Sequence, residues 1–304
     1  MIPAQAEFVF SYDVGGSHVN AGLCRLSDYE VLHVAGAPLH DVASFEQFID
    51  LLYGLAGEVA APDQTPAGAV LAVPFPFDCD AGVSLMQHKL TPLYGRNLRA
   101  ALAERFGWPP SRLRFLKDAS AYLLGELAAG SAKGAARAVC ITLGTGIGCG
   151  FGVNGRSVTS GEGVPPEGEI WNLPYAGVTV EDLISTRAIR GAYLARTGRD
   201  VEVAAIASVA ESDADARAVF EEFGTHLGEV LRDVIAPFHP DRVVLGGGIA
   251  HGARLFLPAT EREVAGLGFG VVISALFDRA PLAGAAHFWR EENAAEDGTA
   301  SGIH

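Results

Sequence analysis

The chain has 304 residues, is 49% hydrophobic and carries a formal net charge of −14. That length and apolar content support a substantial core in one or two domains, while the acidic balance argues against a phosphate-backbone partner, because nucleic-acid binding draws on clustered Lys and Arg. No apolar run reaches the length of a membrane span, and the start MIPAQAEFVF lacks the basic opening and cleavage pattern of a signal peptide, so a cytoplasmic location is expected.

In chain order, Val9 and Phe10 lead into Asp13, Gly15, Gly16 and Ser17, and the chain returns as a second strand. A third strand is expected near 30–36, then an amphipathic helix around 44–60 with Phe45, Phe48, Ile49, Leu52, Leu55 and Val59 on one face. The run AGAVLAVPFPFD at 67–78 predicts a buried strand ending in a Pro-rich turn, and NLRAALAERFGW at 97–108 a helix with Leu98, Leu102 and Phe106 in register. LRFLKD at 113–118 predicts a short strand that delivers Asp118 to the start of a helix through Gly125 and Glu126. Val139 and Ile141 then lead into Gly144, Thr145 and Gly146, a second β-turn-β unit about 130 residues after the first. A Gly- and Pro-rich loop at 155–178 follows, with helices near 179–197 and 213–236 and a strand at 242–249 that contains Gly246, Gly247 and Gly248. PLAGAAHFW at 281–289 is apolar, and the polar tail from about Glu291 is expected to be disordered. Cys24, Cys79, Cys140 and Cys149 form no CxxC pair and are expected as free thiols.

Glycine lets backbone N–H groups come within hydrogen-bond reach of phosphate oxygens, and Ser17 and Thr145 add hydroxyl donors without bulk. Two such turns in equivalent positions of two similar units point to a duplicated nucleotide-binding architecture clamping ATP. A carboxylate in the first turn, Asp13, suits Mg²⁺, which prefers one or two carboxylates with water and phosphate oxygen; a turn-forming Asp bonded to its own backbone is the plainer alternative. Asp118, where a strand ends and a helix begins, fits a general base in the positive field of the helix terminus and equally an N-cap, and the two roles are compatible. Gly247 and Gly248 fit close approach of a nucleotide or simply a tight turn.

Four motifs in order resemble the ROK family of bacterial sugar kinases over nearly the whole chain. DVGGSHVNAGL at 13–23 is close to the family's DxGGTxxxxGL, KDASAYLLGE at 117–126 to NDAxAxxxGE, LGTGIGCGFGVNG at 143–155 to LGTGIGxGxxxNG, and VVLGGGIA at 243–250 is the family's strand and Gly-rich turn against adenine and ribose. The resemblance implies an α/β, two-lobed actin-like (ribonuclease H-like) ATPase fold with a mixed β-sheet in each lobe. It divides the chain into 1–117 plus 281–304, the N-terminal lobe with a C-terminal return helix, and 118–280, the C-terminal lobe. It also implies a homodimer, ATP and Mg²⁺ as cofactors, and transfer of the γ-phosphoryl group to a hydroxyl of a hexose or related sugar, the primary 6-OH being the expected acceptor. In that scheme Asp118 is the catalytic base. Gly15, Gly16, Ser17, Gly144, Thr145 and Gly146 bind phosphates, Gly247 and Gly248 border adenosine, and Asp13 helps hold Mg²⁺, directly or through water.

The chain departs from the family pattern twice. Relatives carry GExGH followed by CxCGxxGC, whose Cys and His bind zinc; here Gly168 and Glu169 match, Trp171 replaces Gly, Asn172 replaces His, and no cysteine follows. No zinc is therefore expected, since a structural site needs about four N or S ligands. Glu169 and Asn172 remain candidate sugar ligands, and Trp171 fits either a sugar face or the core. Lys117 stands where the family has a sugar-binding Asn; it can contact substrate, lower the pKa of Asp118, or point into solvent. Other readings on the same fold are a sugar-responsive regulator, disfavoured by a phosphate turn at residue 13 and the negative charge, and a non-catalytic sugar or nucleotide sensor, disfavoured by Asp118.

Overall fold

Strand β1 (Phe8–Val14) buries Val9, Phe10, Tyr12 and Val14, and it is the central strand of a five-stranded sheet. The computed structural model describes residues 7–87 and 90–300 of the chain. β2 (His18–Arg25) and β3 (Val31–Pro38) extend the sheet antiparallel on one side, while β4 (Pro66–Val73) and, further on, Leu113–Lys117 extend it parallel on the other. Ala69, Val70, Leu71 and Ala72 of β4 are all fully buried, as a parallel strand covered on both faces requires.

Helix α1 (Phe45–Val59) lies over this sheet with the predicted apolar face inward, and Ser44 caps it by accepting the Gln47 N–H at 3.2 Å. The Tyr12 hydroxyl donates to the Leu52 carbonyl at 2.9 Å, tying helix to strand. Phe48 and Leu52 are fully buried, each worth about 1.5–3 kcal/mol of transfer free energy. A two-residue ladder joins β5 (Phe77–Asp78) to β6 (Val83–Ser84) before α2 (Leu98–Phe106), β7 (Leu113–Lys117) and α3 (Asp118–Ala129).

The C-terminal helix, Ala280–Ala300, packs on α3 through glycines: a Cβ on Gly125 would strike the Ala280 carbonyl, and one on Gly284 the Ala121 carbonyl. The units divide as Met1–Ala129 with Asp278–His304, and Gly130–Phe277, so α3 clusters with the first unit. The same contact explains one departure from expectation. The segment beyond Glu291 is helical to Ala300, because EENAAED is rich in good helix formers and continues a docked helix. Residues 301–304 lie outside the described chain.

The second unit repeats the topology of the first. β8 (Arg137–Leu143), β9 (Ile147–Val153) and β10 (Arg156–Val158) form an antiparallel meander, and β13 (Arg242–Gly246) and β14 (Gly270–Ile273) add parallel strands beside β8. A small ladder, β11 (Pro174–Tyr175) with β12 (Val178–Thr179), precedes the helices. The single helix expected over 179–197 is two, α4 (Val180–Ile184) and α5 (Thr186–Thr197), separated at Ser185, whose backbone is extended. After α6 (Val203–Val209), α7 (Ala214–Val230) widens into a π turn at Leu231–Ile235 and ends in a 3₁₀ turn containing Pro237; α8 (Leu257–Glu263) packs beside it. Cys24, Cys140 and Cys149 are buried free thiols, and Cys79 is partly buried. Among the described residues no helix is long and apolar enough to cross a membrane.

Candidate active site

In the first unit the strand register gathers the candidate residues at one edge of the sheet. Asp13 sits beside Ala72, and Val73 beside Lys117, so Asp13 and Asp118 leave the carboxyl ends of parallel strands on either side of β4. Ligands of open α/β sheets are bound at such ends. Asp118 opens α3, and its Oδ1 accepts the Ala119 N–H at 2.7 Å. The Asp13 carboxyl is pushed up to about 7, first by burial and then by the negative charges of Asp118 and Asp278. Two neighbouring negative charges that raise the cost of ionising Asp13 favour a cation beside it. Among the described residues no set of three or more His, Cys, Asp or Glu is arranged to hold a metal ion.

The β1–β2 turn is closed by the Gly15 N–H donating to the His18 carbonyl at 2.9 Å, which leaves Gly16 and Ser17 exposed at its tip. Ser17 Oγ lies 3.4 Å from His18 Nδ1. The Lys117 ammonium lies over the Phe75 ring, 5.9 Å from its centroid, at the ends of neighbouring strands.

The second unit carries a cleft of about 710 Å³, within the size range of small-molecule sites. Gly144 and Thr145 of the β8–β9 turn, Thr186 at the start of α5, Glu202 with α6, and Gly248, His251 and Arg254 after β13 line it. Gly247 has φ +78°, and a Cβ there would fall 2.5 Å from the Leu143 carbonyl oxygen, so the two Gly-rich turns meet backbone to backbone. The Thr186 N–H donates to the Gly144 carbonyl at 2.8 Å. That bond needs the break at Ser185, and it brings the positive end of a twelve-residue helix to the turn, where an anion is stabilised. His251 stacks on Phe277 with centroids 4.1 Å apart.

Glu181 was missed by the sequence reading. Its carboxylate accepts the Ile147 N–H at 3.1 Å behind the glycine turn, and its own N–H donates to the Trp171 carbonyl at 3.0 Å. A residue so placed ties the turn through its carboxylate and the 169–172 loop through its backbone. The only sequence signal was a Glu in the first turn of a helix capped by Thr179. In that loop Ile170 is fully buried, Glu169 is partly buried, and Trp171 and Asn172 are exposed. The Trp171 Nε1–H donates to Glu169 Oε2 at 2.7 Å, so the indole stands at the surface and not in the core.

Comparison with known proteins gives one family. The ROK family model matches residues 10–292. A glucokinase of Thermotoga maritima is 27% identical over 311 residues, 92% of this chain and 96% of its own length. Three further curated relatives match over about half of their own length, at 27–32% identity. A ROK family glucokinase from Streptomyces griseus, solved with glucose and AMPPNP, superposes with a TM-score of 0.76 at 20% identity, covering 93% of this chain and 99% of that one. A ROK family transcriptional regulator, homolog of the E. coli MLC protein, superposes at 0.75 and 20% identity, covering 93% and 78%. Likeness at this identity is likeness of fold, the two-lobed actin-like ATPase fold with a mixed sheet in each unit.

Proposed function

The chain belongs to the ROK family, and from that premise we propose that it is an ATP- and Mg²⁺-dependent kinase that phosphorylates a hexose or related sugar, on the primary hydroxyl. The observation that carries the reading is Asp118 at the exit of β7, aligned at one sheet edge with the raised Asp13 carboxyl. Phosphoryl transfer is mostly positioning and electrostatics. The acceptor hydroxyl oxygen bonds to the γ-phosphorus as the bond to the bridging β–γ oxygen breaks, and the hydroxyl proton passes to Asp118. Gly16, Ser17, Gly144, Thr145 and Gly146 donate to phosphate oxygens, Gly15, whose N–H closes the turn on His18, lets the phosphates approach the backbone, and Gly247 and Gly248 border the nucleoside. Asp13 fits Mg²⁺ because burial and two negative neighbours leave its carboxylate in need of a cation; the bound ion supplies charge neutralisation across the phosphates. Glu169, Asn172 and Lys117 hold the sugar.

We place the protein in the cytoplasm, as a homodimer, with no nucleic-acid or membrane partner. The regulator reading has one support, the shared fold of the transcriptional regulator. A coupled ADP-release screen over hexoses, amino sugars, polyols and acidic sugars separates the two: saturable ADP release with one class carries the kinase, and binding without ADP release from any of them overturns it.

A further inference from the structure

We propose that the indole of Trp171 is an aromatic platform that stacks on the C–H face of a pyranose ring while Glu169 accepts hydroxyls from the ring's edge. This deepens the kinase reading and rests on it. Trp171 is 43% exposed, one of the few large apolar side chains left at the surface. It is nevertheless held firmly. Its Nε1–H is bound by Glu169 at 2.7 Å, its carbonyl accepts the Glu181 N–H at 3.0 Å, and the buried Ile170 anchors the residue before it.

The approach to this loop is a costly path: Glu167, a non-glycine residue, has φ +58°, and Gly168 has φ +67°. Left-handed backbone of this kind persists where the surroundings impose it, and it clusters at ligand-binding segments. With the indole N–H already satisfied, what Trp171 offers outward is carbon. The negative face of an aromatic ring attracts the weakly positive C–H groups of a sugar, as it attracts cations and aromatic edges.

The neighbouring carboxylate decides the class of occupant. A purely apolar partner would leave Glu169 desolvated beside it, at a cost. A pyranose has one apolar face and a rim of hydroxyl donors, which matches an indole face and a carboxylate joined by one hydrogen bond. The inferred substrate class is therefore a sugar in cyclic pyranose form; acyclic polyols with the same hydroxyls lack the face.

The test compares wild type, Trp171→Phe and Trp171→Ala in KM, kcat, oligomeric state and tryptophan emission, with the best pyranose of the ADP-release screen and its open-chain alditol as probes. Stacking is worth about a tenfold change in binding. Trp171→Ala is accordingly expected to raise KM about tenfold with kcat changed by less than about threefold, and Trp171→Phe to recover most of the loss. Saturating pyranose is expected to shift wild-type emission and leave that of Trp171→Ala unchanged, although Trp108 and Trp289 remain. An unchanged KM in Trp171→Ala overturns the inference alone, as does a loss of dimer without a KM change, which would assign the ring to an interface between copies. Absence of any sugar turnover by wild type overturns the kinase reading first, and this inference with it.

Discussion

Gly247 and Leu143 touch backbone to backbone, so closely that a Cβ on Gly247 would lie 2.5 Å from the Leu143 carbonyl oxygen and 2.8 Å from its nitrogen. The contact joins the turn after β13 to the turn after β8 along one wall of the cleft. Gly247→Ala must both leave φ +78° and push β8 away, whereas a Cβ on Gly248 meets nothing within 4 Å. The first variant is expected to lose about 1–3 kcal/mol of stability and to raise the KM for nucleotide at least about tenfold, and Gly248→Ala to do much less. Thermal melts and nucleotide titrations check this. Equal behaviour of the two variants would mean that the contact does not shape the cleft.

Asp118→Asn keeps an oxygen that can accept the Ala119 N–H, now made at 2.7 Å, so the start of α3 is expected to survive. What it loses is the capacity to take a proton. General-base catalysis is typically worth about 10²–10⁴-fold, and kcat should fall by that range while sugar and nucleotide affinities stay within a few fold. A variant that keeps more than about a tenth of wild-type kcat leaves Asp118 as a helix cap only.

The glycine turns were legible in the sequence because each joins two apolar strand runs, and a buried parallel strand such as β4 needs no tertiary information to declare itself. The break between α4 and α5 was not legible. TVEDLISTRAIR has no glycine or proline to mark it, and what opens the helix at Ser185 is a long-range bond, from the Thr186 N–H to the Gly144 carbonyl. Glu181 was hidden for the same reason, since both of its structural bonds reach to residues distant in sequence. The tail beyond Glu291 looked disordered by composition, yet the docked helix before it provides the nucleus that an isolated segment would lack. Trp171 was undecided between core and surface until its bond to Glu169 placed the indole outside.

Asp13 should make stability depend on pH. Its pKa is raised from 3.8 to about 7 in the folded chain, so between these values the folded state binds a proton that the unfolded state has released. The sign follows: the group's contribution is fully present below its unfolded pKa and is lost as pH rises through about 7. Asp13→Asn removes this dependence and is expected to melt higher than wild type at pH 8, with each kcal/mol worth about 2–4 °C, the difference shrinking toward pH 4. Mg²⁺ with nucleotide should raise the wild-type midpoint and have little effect on the variant. If wild type and variant melt in parallel across this pH range, Asp13 does not hold the raised proton described above.

Glu181 offers the sharpest separation of structure from chemistry, because its hydrogen bonds reach backbone only and its one charged contact is Arg187, at 3.9 Å. Its carboxylate receives the Ile147 N–H at 3.1 Å, and a Cβ on Gly146 would lie 3.1 Å from the same oxygen, so the side chain fills the space behind the glycine turn. Glu181→Gln retains a carbonyl acceptor of the same length. Glu181→Ala removes the acceptor and leaves a partly buried N–H without a partner, at a typical cost of about 1–3 kcal/mol. The alanine variant is expected to raise KM for nucleotide and for sugar together, since the backbone of Glu181 also holds Trp171 and a disturbed α4 terminus would move both segments. The glutamine variant should restore both constants to within about threefold, a recovery that a charge-dependent role would not allow. Steady-state kinetics in both substrates decide it: a KM change confined to nucleotide would show that the loop at 169–172 is positioned without Glu181, and failure of glutamine to rescue would show that the negative charge, and not the hydrogen bond, is what the turn requires.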